Sequence, residues 1–148
     1  MMVAIRQGTF GDIPRIAELI SQLAIHEGVE PPDPARLVLI LEAIIGTGSS
    51  TYLLAEEDGR AVGVMQLRWG LSTWSAAPYG YIEDFFVVED MRRKGIGKAM
   101  LEMACHLARE RGCMELSLDV RQDNEKARRF YAKNGFREEG SILLELRL

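Results

Sequence analysis

Tyr81-Ile82-Glu83-Asp84-Phe85-Phe86-Val87-Val88-Glu89-Asp90-Met91-Arg92-Arg93-Lys94-Gly95-Ile96-Gly97-Lys98 is the stretch from which the fold is read. Its first half, through Phe85-Phe86-Val87-Val88, is apolar, aromatic and β-branched, the composition of a buried strand. After it, Ile96, Ala99, Met100, Met103, Ala104, Leu107 and Ala108 recur at three- and four-residue spacing, one face of a helix. Gly95 and Gly97 therefore stand at a strand-to-helix turn. The first turn of a helix leaves N–H groups unpaired and carries partial positive charge. Arg92, Arg93, Lys94 and Lys98 oppose that dipole unless an anion arrives, so the turn reads as an anion site suited to a pyrophosphate.

Working outward, Gly112 is a helix stop. Met114 to Val120 alternates like a strand, and Asn124 caps a short helix to Lys133 that closes at Asn134-Gly135. Strand, helix and strand here form a βαβ crossover, and ligands favour the carboxyl ends of such strands. Phe136-Arg137 and Ile142 to Arg147 read as closing strands. On the N-terminal side, Met2 to Arg6 is a first strand. A helix follows from about Asp12 to His26, with Thr9 and Asp12 as caps. Val29 to Pro34 is loop, and a second, strongly apolar helix covers about Ala35 to Ile45. Thr51 to Glu56 and Ala61 to Trp69 pair through a hairpin at Asp58-Gly59. Gly70 to Gly80 is expected to be loop. The sum is α/β with a mixed sheet.

The chain has 148 residues, 47% hydrophobic and 27% charged, which predicts one ordinary domain over residues 1–148. A net charge of −4 argues against a nucleic-acid partner and suits a cationic small substrate. Cys105 and Cys113 offer neither a disulfide framework nor metal spacing, and read as buried free thiols in a reducing cytosol. No apolar run approaches a membrane span and no signal-peptide pattern opens the chain. A cytoplasmic protein without a membrane or metal is expected.

Arg92-x-x-Gly95-x-Gly97 after an apolar strand resembles the acetyl-CoA signature of the GCN5-related N-acetyltransferases (GNAT). Asn124-x-x-Ala127-x-x-Phe130-Tyr131-x-x-x-Gly135-Phe136 is similar to that family's second signature. Length and element order fit across nearly the whole chain. Tyr81 to Val87 and Leu23-Ala24-Ile25-His26-Glu27 look like the diamine (spermidine/spermine) branch, although Gly70–Gly80 does not align clearly and the C-terminus is shorter than in that branch.

The resemblance implies a GNAT fold: a mostly antiparallel sheet with a splayed parallel pair, here Tyr81–Val88 and Met114–Val120. It implies that backbone groups of Phe85, Phe86 and Val87 hold the pantetheine arm of acetyl-CoA, with an N–H polarising the thioester. Arg92, Arg93, Lys94, Gly95, Ile96, Gly97 and Lys98 would hold the pyrophosphate, and Asn124 would bond near the pantetheine. Tyr131 would be the general acid for the departing thiolate. With a phenol near ~10 and a thiol near ~8.5, full transfer is uphill by about 2 kcal/mol. Glu83 would attract the cationic amine and relay its proton, directly or through water, while Asp84 would point to the opposite face of the strand. His26 and Glu27 match amine-contacting positions. A homodimer is expected by family analogy.

The reading that follows is acetyl transfer to a small primary amine (a diamine, polyamine or lysine-like compound) by direct attack, since Cys105 in the helix core stripe is poorly placed as a nucleophile. Two other readings stay open. One is a protein or peptide acceptor, which would need a groove for an extended chain. The other is an acyl-CoA-binding regulatory module without turnover, against which Glu83 and Tyr131 both argue.

Overall fold

The computed structural model describes residues 2–148; Met1, the first residue of the expected domain, lies outside the described residues. In chain order the elements are Val3–Gln7 (β1), Ile13–His26 (α1), Pro34–Thr47 (α2), Ser50–Glu57 (β2), Arg60–Ser72 (β3), Ala77–Val87 (β4), Ile96–Glu110 (α3), Leu116–Leu118 (β5) and Glu125–Lys133 (α4). A turn of 3-10 helix at Phe10–Asp12 precedes α1, and Thr9 and Asp12 form a capping box there. Asp33 caps α2 by accepting from the Arg36 N–H, and Pro34 occupies its first turn. No helix among the described residues is long and apolar enough to cross a membrane.

The sheet runs β1-β2-β3-β4-β5, antiparallel up to β4 and parallel between β4 and β5. Its two faces carry separate cores. On one, Leu53, Met65, Leu67 and Ile82 meet Ile96, Met100 and Ala104 of α3, with Phe130 and Tyr131 of α4 at the margin. On the other, Tyr52, Leu54, Val64 and Phe86 meet Ile13, Ile16 and Leu19 of α1 and Leu41 of α2. The amphipathic stripe of each helix thus fixes which face of the sheet it covers.

Four expectations from the sequence are corrected. Gly70–Gly80 is not a loop: the β3–β4 ladder continues through Gly70↔Tyr79 to Ser72↔Ala77. The Tyr79 ring lies over Gly70, where a Cβ would stand 2.4 Å from Tyr79 Cζ, so the glycine that suggested a break is what the cross-strand aromatic needs. The strand expected over Met114–Val120 is confined to Leu116–Leu118. Phe136-Arg137 and Ile142 to Arg147 form no strand. Alternation alone does not make a strand; it also needs a paired neighbour for its backbone, and here the chain past α4 has none. Cys105 and Cys113, expected to be buried, are only partly so.

Candidate active site

The parallel pairing of β4 with β5 covers only Gly80↔Leu116, Tyr81↔Ser117 and Ile82↔Leu118. Beyond Ile82 the two chains part. From Glu83 to Val87, β4 has β3 on one side and, among the described residues, no strand on the other. A strand edge without a neighbouring strand, its Val87 carbonyl held by Arg92, therefore lines a wedge-shaped opening. Phe85, Phe86 and Val87 lie in this part of β4.

The same segment carries a β-bulge. Val64 pairs with Phe86, but Gln66 pairs with Glu83, so two residues of β4 oppose one of β3. Asp84 takes φ 50°, a left-handed value that aspartate tolerates better than most residues. The bulge switches the strand's facing: Ile82 belongs to the α3 core and Phe86, an even number of residues on, to the α1–α2 core. The bulge interrupts the alternation on which the expectation of opposite faces for Glu83 and Asp84 rested. Both carboxylates act electrostatically on Tyr52, a residue of the α1–α2 side, and burial together with these charges raises the Tyr52 hydroxyl far above its ordinary value. Glu83 pairs with Arg68 at 3.4 Å. Asp84 is the more enclosed, and its pKa is raised by burial first and by the charge of Glu83 second. His26, at the exposed end of α1, sets its ring 6.1 Å from that of Phe86. Glu27 beside it is exposed, and its charge is felt at Arg121, beyond β5. The ends of α1, β4 and β5 thus converge on one mouth.

The glycine turn sits at the carboxyl end of β4. Arg93 has φ 62° and Gly95 φ 80°, both left-handed; turns that include left-handed residues are the kind that form anion-binding nests. A Cβ at Gly95 would meet nothing within 4 Å, so the turn is open there. Gly97 is different: a Cβ would stand 3.2 Å from Phe130 Cζ and 3.6 Å from Phe85 Cζ. Its missing side chain lets α3 approach α4 and β4. The side chain of Ile96 is buried in the α3 core, leaving only its N–H for a ligand. Arg92 is committed to the fold, donating from Nε to the Val87 carbonyl at 2.8 Å and stacking on Phe86 at 5.3 Å. Arg93, Lys94 and Lys98 are exposed; Lys98 lies 4.0 Å from Glu102.

Tyr131 lies on α4 with its ring edge-on to Phe130 and Phe136, at 5.3 and 5.6 Å between centroids. Its hydroxyl is pushed up to about 12, with burial as the sole cause. Asn124 is turned to a structural task, accepting from the Ala127 N–H at 3.1 Å to cap α4. Sequence reasoning did not assign a site role to Asp84, Tyr52 or Arg68. The pair Glu83-Asp84 was visible, but not the bulge it sits in.

A fold of this kind, with a splayed parallel pair and a cationic turn opening a helix, defines a class of coenzyme A-dependent acyltransferases. The acetyltransferase (GNAT) family model matches residues 15–136, and the chain belongs to that family. It is 33% identical over 135 residues to an uncharacterized N-acetyltransferase, YhfO, of Bacillus subtilis (strain 168), covering 91% of this chain and 90% of that one. It is 29% identical to a thialysine N-epsilon-acetyltransferase of Bos taurus, covering 97% and 96%. A solved predicted acetyltransferase with acetyl-CoA, from Clostridium acetobutylicum, superposes with a TM-score of 0.84 at 22% identity, covering 99% of this chain and 96% of that one. The protein is an N-acetyltransferase that uses acetyl-CoA. The open β4 edge and the unobstructed turn at Gly95 fit that co-substrate.

Proposed function

We propose that the protein acetylates a small primary amine carrying further positive charge, a diamine, polyamine or lysine-like compound, as a single cytoplasmic domain that works as a homodimer and takes no nucleic-acid or membrane partner. The observation that carries this is the bulge at Asp84, in the part of β4 past the β5 pairing, where the charges of Glu83 and Asp84 act on each other and on Tyr52. Two neighbouring carboxylates attract a cation and hold it near the strand edge. The likeness to a thialysine N-epsilon-acetyltransferase supports the same class of acceptor.

The residue roles follow from chemistry. Acetyl-CoA supplies the activated acetyl group. The β4 edge at Phe85 to Val87 aligns the pantetheine arm, and an N–H there polarises the thioester carbonyl. The N–H groups of Gly95 to Lys98, with Arg93, Lys94 and Lys98, hold the pyrophosphate; Arg92 braces the end of β4. Asp84 and Glu83, directly or through water, take the proton that an ammonium must lose before its nitrogen attacks. His26 and Glu27 border the acceptor. As the carbon–nitrogen bond forms and the carbon–sulfur bond breaks, Tyr131 donates a hydrogen bond to the departing sulfur. With its hydroxyl near 12, full transfer to a thiolate of ~8.5 is uphill by about 5 kcal/mol, more than the ordinary phenol value implies. Tyr131 therefore acts by a hydrogen bond that strengthens as charge builds, and stays neutral until then.

The test is thiol release from acetyl-CoA against a panel containing thialysine, lysine, putrescine, spermidine, an aminoglycoside and a short peptide. Turnover is expected with the small polycations. Release with the peptide alone, or with no amine despite tight acetyl-CoA binding, overturns the reading.

A further inference from the structure

Arg68 is a cation where a purely cationic acceptor calls for anions. Leu67 and Ile82 belong to the α3 core, so their paired neighbours Arg68 and Tyr81 stand on the other face of the sheet. There the Arg68 guanidinium lies over the Tyr81 ring, 4.9 Å from its centroid. Its Nη1 stands 3.4 Å from the Glu83 carboxylate. The ring beneath it is fixed, because the Tyr81 hydroxyl donates to Asp119, the residue after β5. The guanidinium thus rests on a plate tied across β4 and β5, where the two strands part after Ile82 and Leu118.

What distinguishes Arg68 is what its donors do. Arg6, Arg15, Arg92, Arg121 and Arg128 each donate a hydrogen bond to a protein oxygen. The Arg68 contact with Glu83, at 3.4 Å, is an ion pair beyond the usual hydrogen-bond range of about 2.7–3.2 Å. Its side chain is 50% exposed, and a pair so placed adds little to stability. A guanidinium held flat with its donors unused is the geometry that takes a carboxylate by two parallel bonds. An acceptor made only of ammonium groups meets repulsion at this point, beside the very carboxylate that draws it. An acceptor that also carries a carboxylate meets a partner.

We propose that Arg68 binds the α-carboxylate of a free amino acid whose side chain ends in a primary amine, so that the acceptor is lysine-like rather than a plain diamine or polyamine. On the acetylation reading, on which this assignment rests, the thioester lies along the β4 edge from Phe85. The guanidinium stands beside Glu83, two residues earlier, which is about 7 Å at the rise of a strand. The four-carbon stem of a lysine spans that interval. With the carboxylate on Arg68, the α-ammonium falls beside Glu83 and the side-chain amine reaches past Asp84 to the edge. Glu83 and Arg68 together then read the two charges of an amino acid, where a carboxylate alone would read only one.

The test compares lysine, lysine amide and cadaverine, which is lysine without its carboxylate. Each is titrated calorimetrically into the enzyme with coenzyme A, a complex that cannot react, and each is assayed for thiol release from acetyl-CoA. Lysine is expected to bind about 10- to 100-fold more tightly than either analogue, with kcat/KM in the same order. Arg68→Met is expected to close that gap from both sides, weakening lysine and strengthening cadaverine, and Arg68→Glu to invert it. An inverted preference cannot come from misfolding. Lysine that does not bind, cadaverine that binds as well as lysine, or an Arg68→Met variant that weakens both equally overturns the assignment. Preferred binding of lysine without thiol release would remove the acetylation reading and leave the carboxylate site. Release with cadaverine at the rate of lysine would do the reverse.

Discussion

Gly97 lies against the Phe130 ring, so that a methyl group at Gly97 would stand 3.2 Å from Phe130 Cζ. The second glycine of the turn is therefore a packing device joining α3 to the helix that carries Tyr131. The first, at φ 80°, is a backbone device. The two should fail differently. Gly97→Ala overpacks the joint, a cost of about 1–3 kcal/mol, and displaces Tyr131. Turnover should fall about tenfold or more with acetyl-CoA still giving a thermal shift. Gly95→Val forces a β-branched residue into a left-handed conformation, whereas Gly95→Asn is tolerated there. Acetyl-CoA affinity should fall more for valine than for asparagine by calorimetric titration. Equal loss for both would mean that the turn's conformation is not what binds.

That contrast also shows where the sequence stopped being informative. Periodicity located all four helices, the Asp58-Gly59 hairpin and the glycine turn, because each is encoded within a few neighbouring residues. Asp84 is the opposite case. Ile82 to Phe86 reads apolar, charged, charged, apolar, apolar, which does not say where a strand bulges, and only the register against Val64 and Gln66 exposes the extra residue. Likewise nothing near Gly97 announces Phe130, and nothing near Gly70 announces that a tyrosine across the sheet will lie over it. Local pattern reports elements; it does not report which distant side chain will occupy the space a glycine leaves.

Tyr131→Phe keeps the ring between Phe130 and Phe136 and removes only the hydroxyl. The fold and acetyl-CoA affinity should be unchanged, and kcat should fall by about 10²–10⁴, the span of general acid catalysis. Steady-state kinetics beside a binding isotherm separates the two. An equal loss in both would make the tyrosine structural.

Acid should loosen the amino-terminal corner. Arg6 donates to both oxygens of Asp12, at 2.9 and 2.8 Å, and to Glu56 at 2.8 Å. These bonds bring Asp12 down to about 2 from its ordinary 3.8. A depressed carboxylate contributes stability that is present above the unfolded value and lost as pH falls through the folded one. Because Arg6 is partly solvated, about 1–2 kcal/mol is the reasonable size. Thermal melts of the wild type should lose this contribution between pH 4 and 2, and Asp12→Asn should be less stable at neutral pH but lose less on acidification. Parallel curves for the two proteins would remove Asp12 from the account.

Asp84 should behave in the opposite sense. Burial and the charge of Glu83 hold its carboxyl above the usual range. Its folded pKa being raised, the protonated form stabilises the fold below the unfolded value, and that contribution is lost as pH rises through the folded value. Asp84→Asn should therefore leave stability at neutral pH equal or improved while depressing turnover of a diamine. For the wild type, kcat/KM for a cationic acceptor should rise with pH along an acidic limb placed above the ordinary carboxylate range, because the amine is drawn by ionised Asp84. Glu83→Gln removes the neighbouring charge, so the limb should move to lower pH even as the rate falls. Arg68→Met, which frees Glu83 from its 3.4 Å partner, should leave the limb where it is or raise it. An acidic limb that ignores Glu83→Gln would mean the two carboxylates do not share one pocket, and the amine must then be gathered elsewhere.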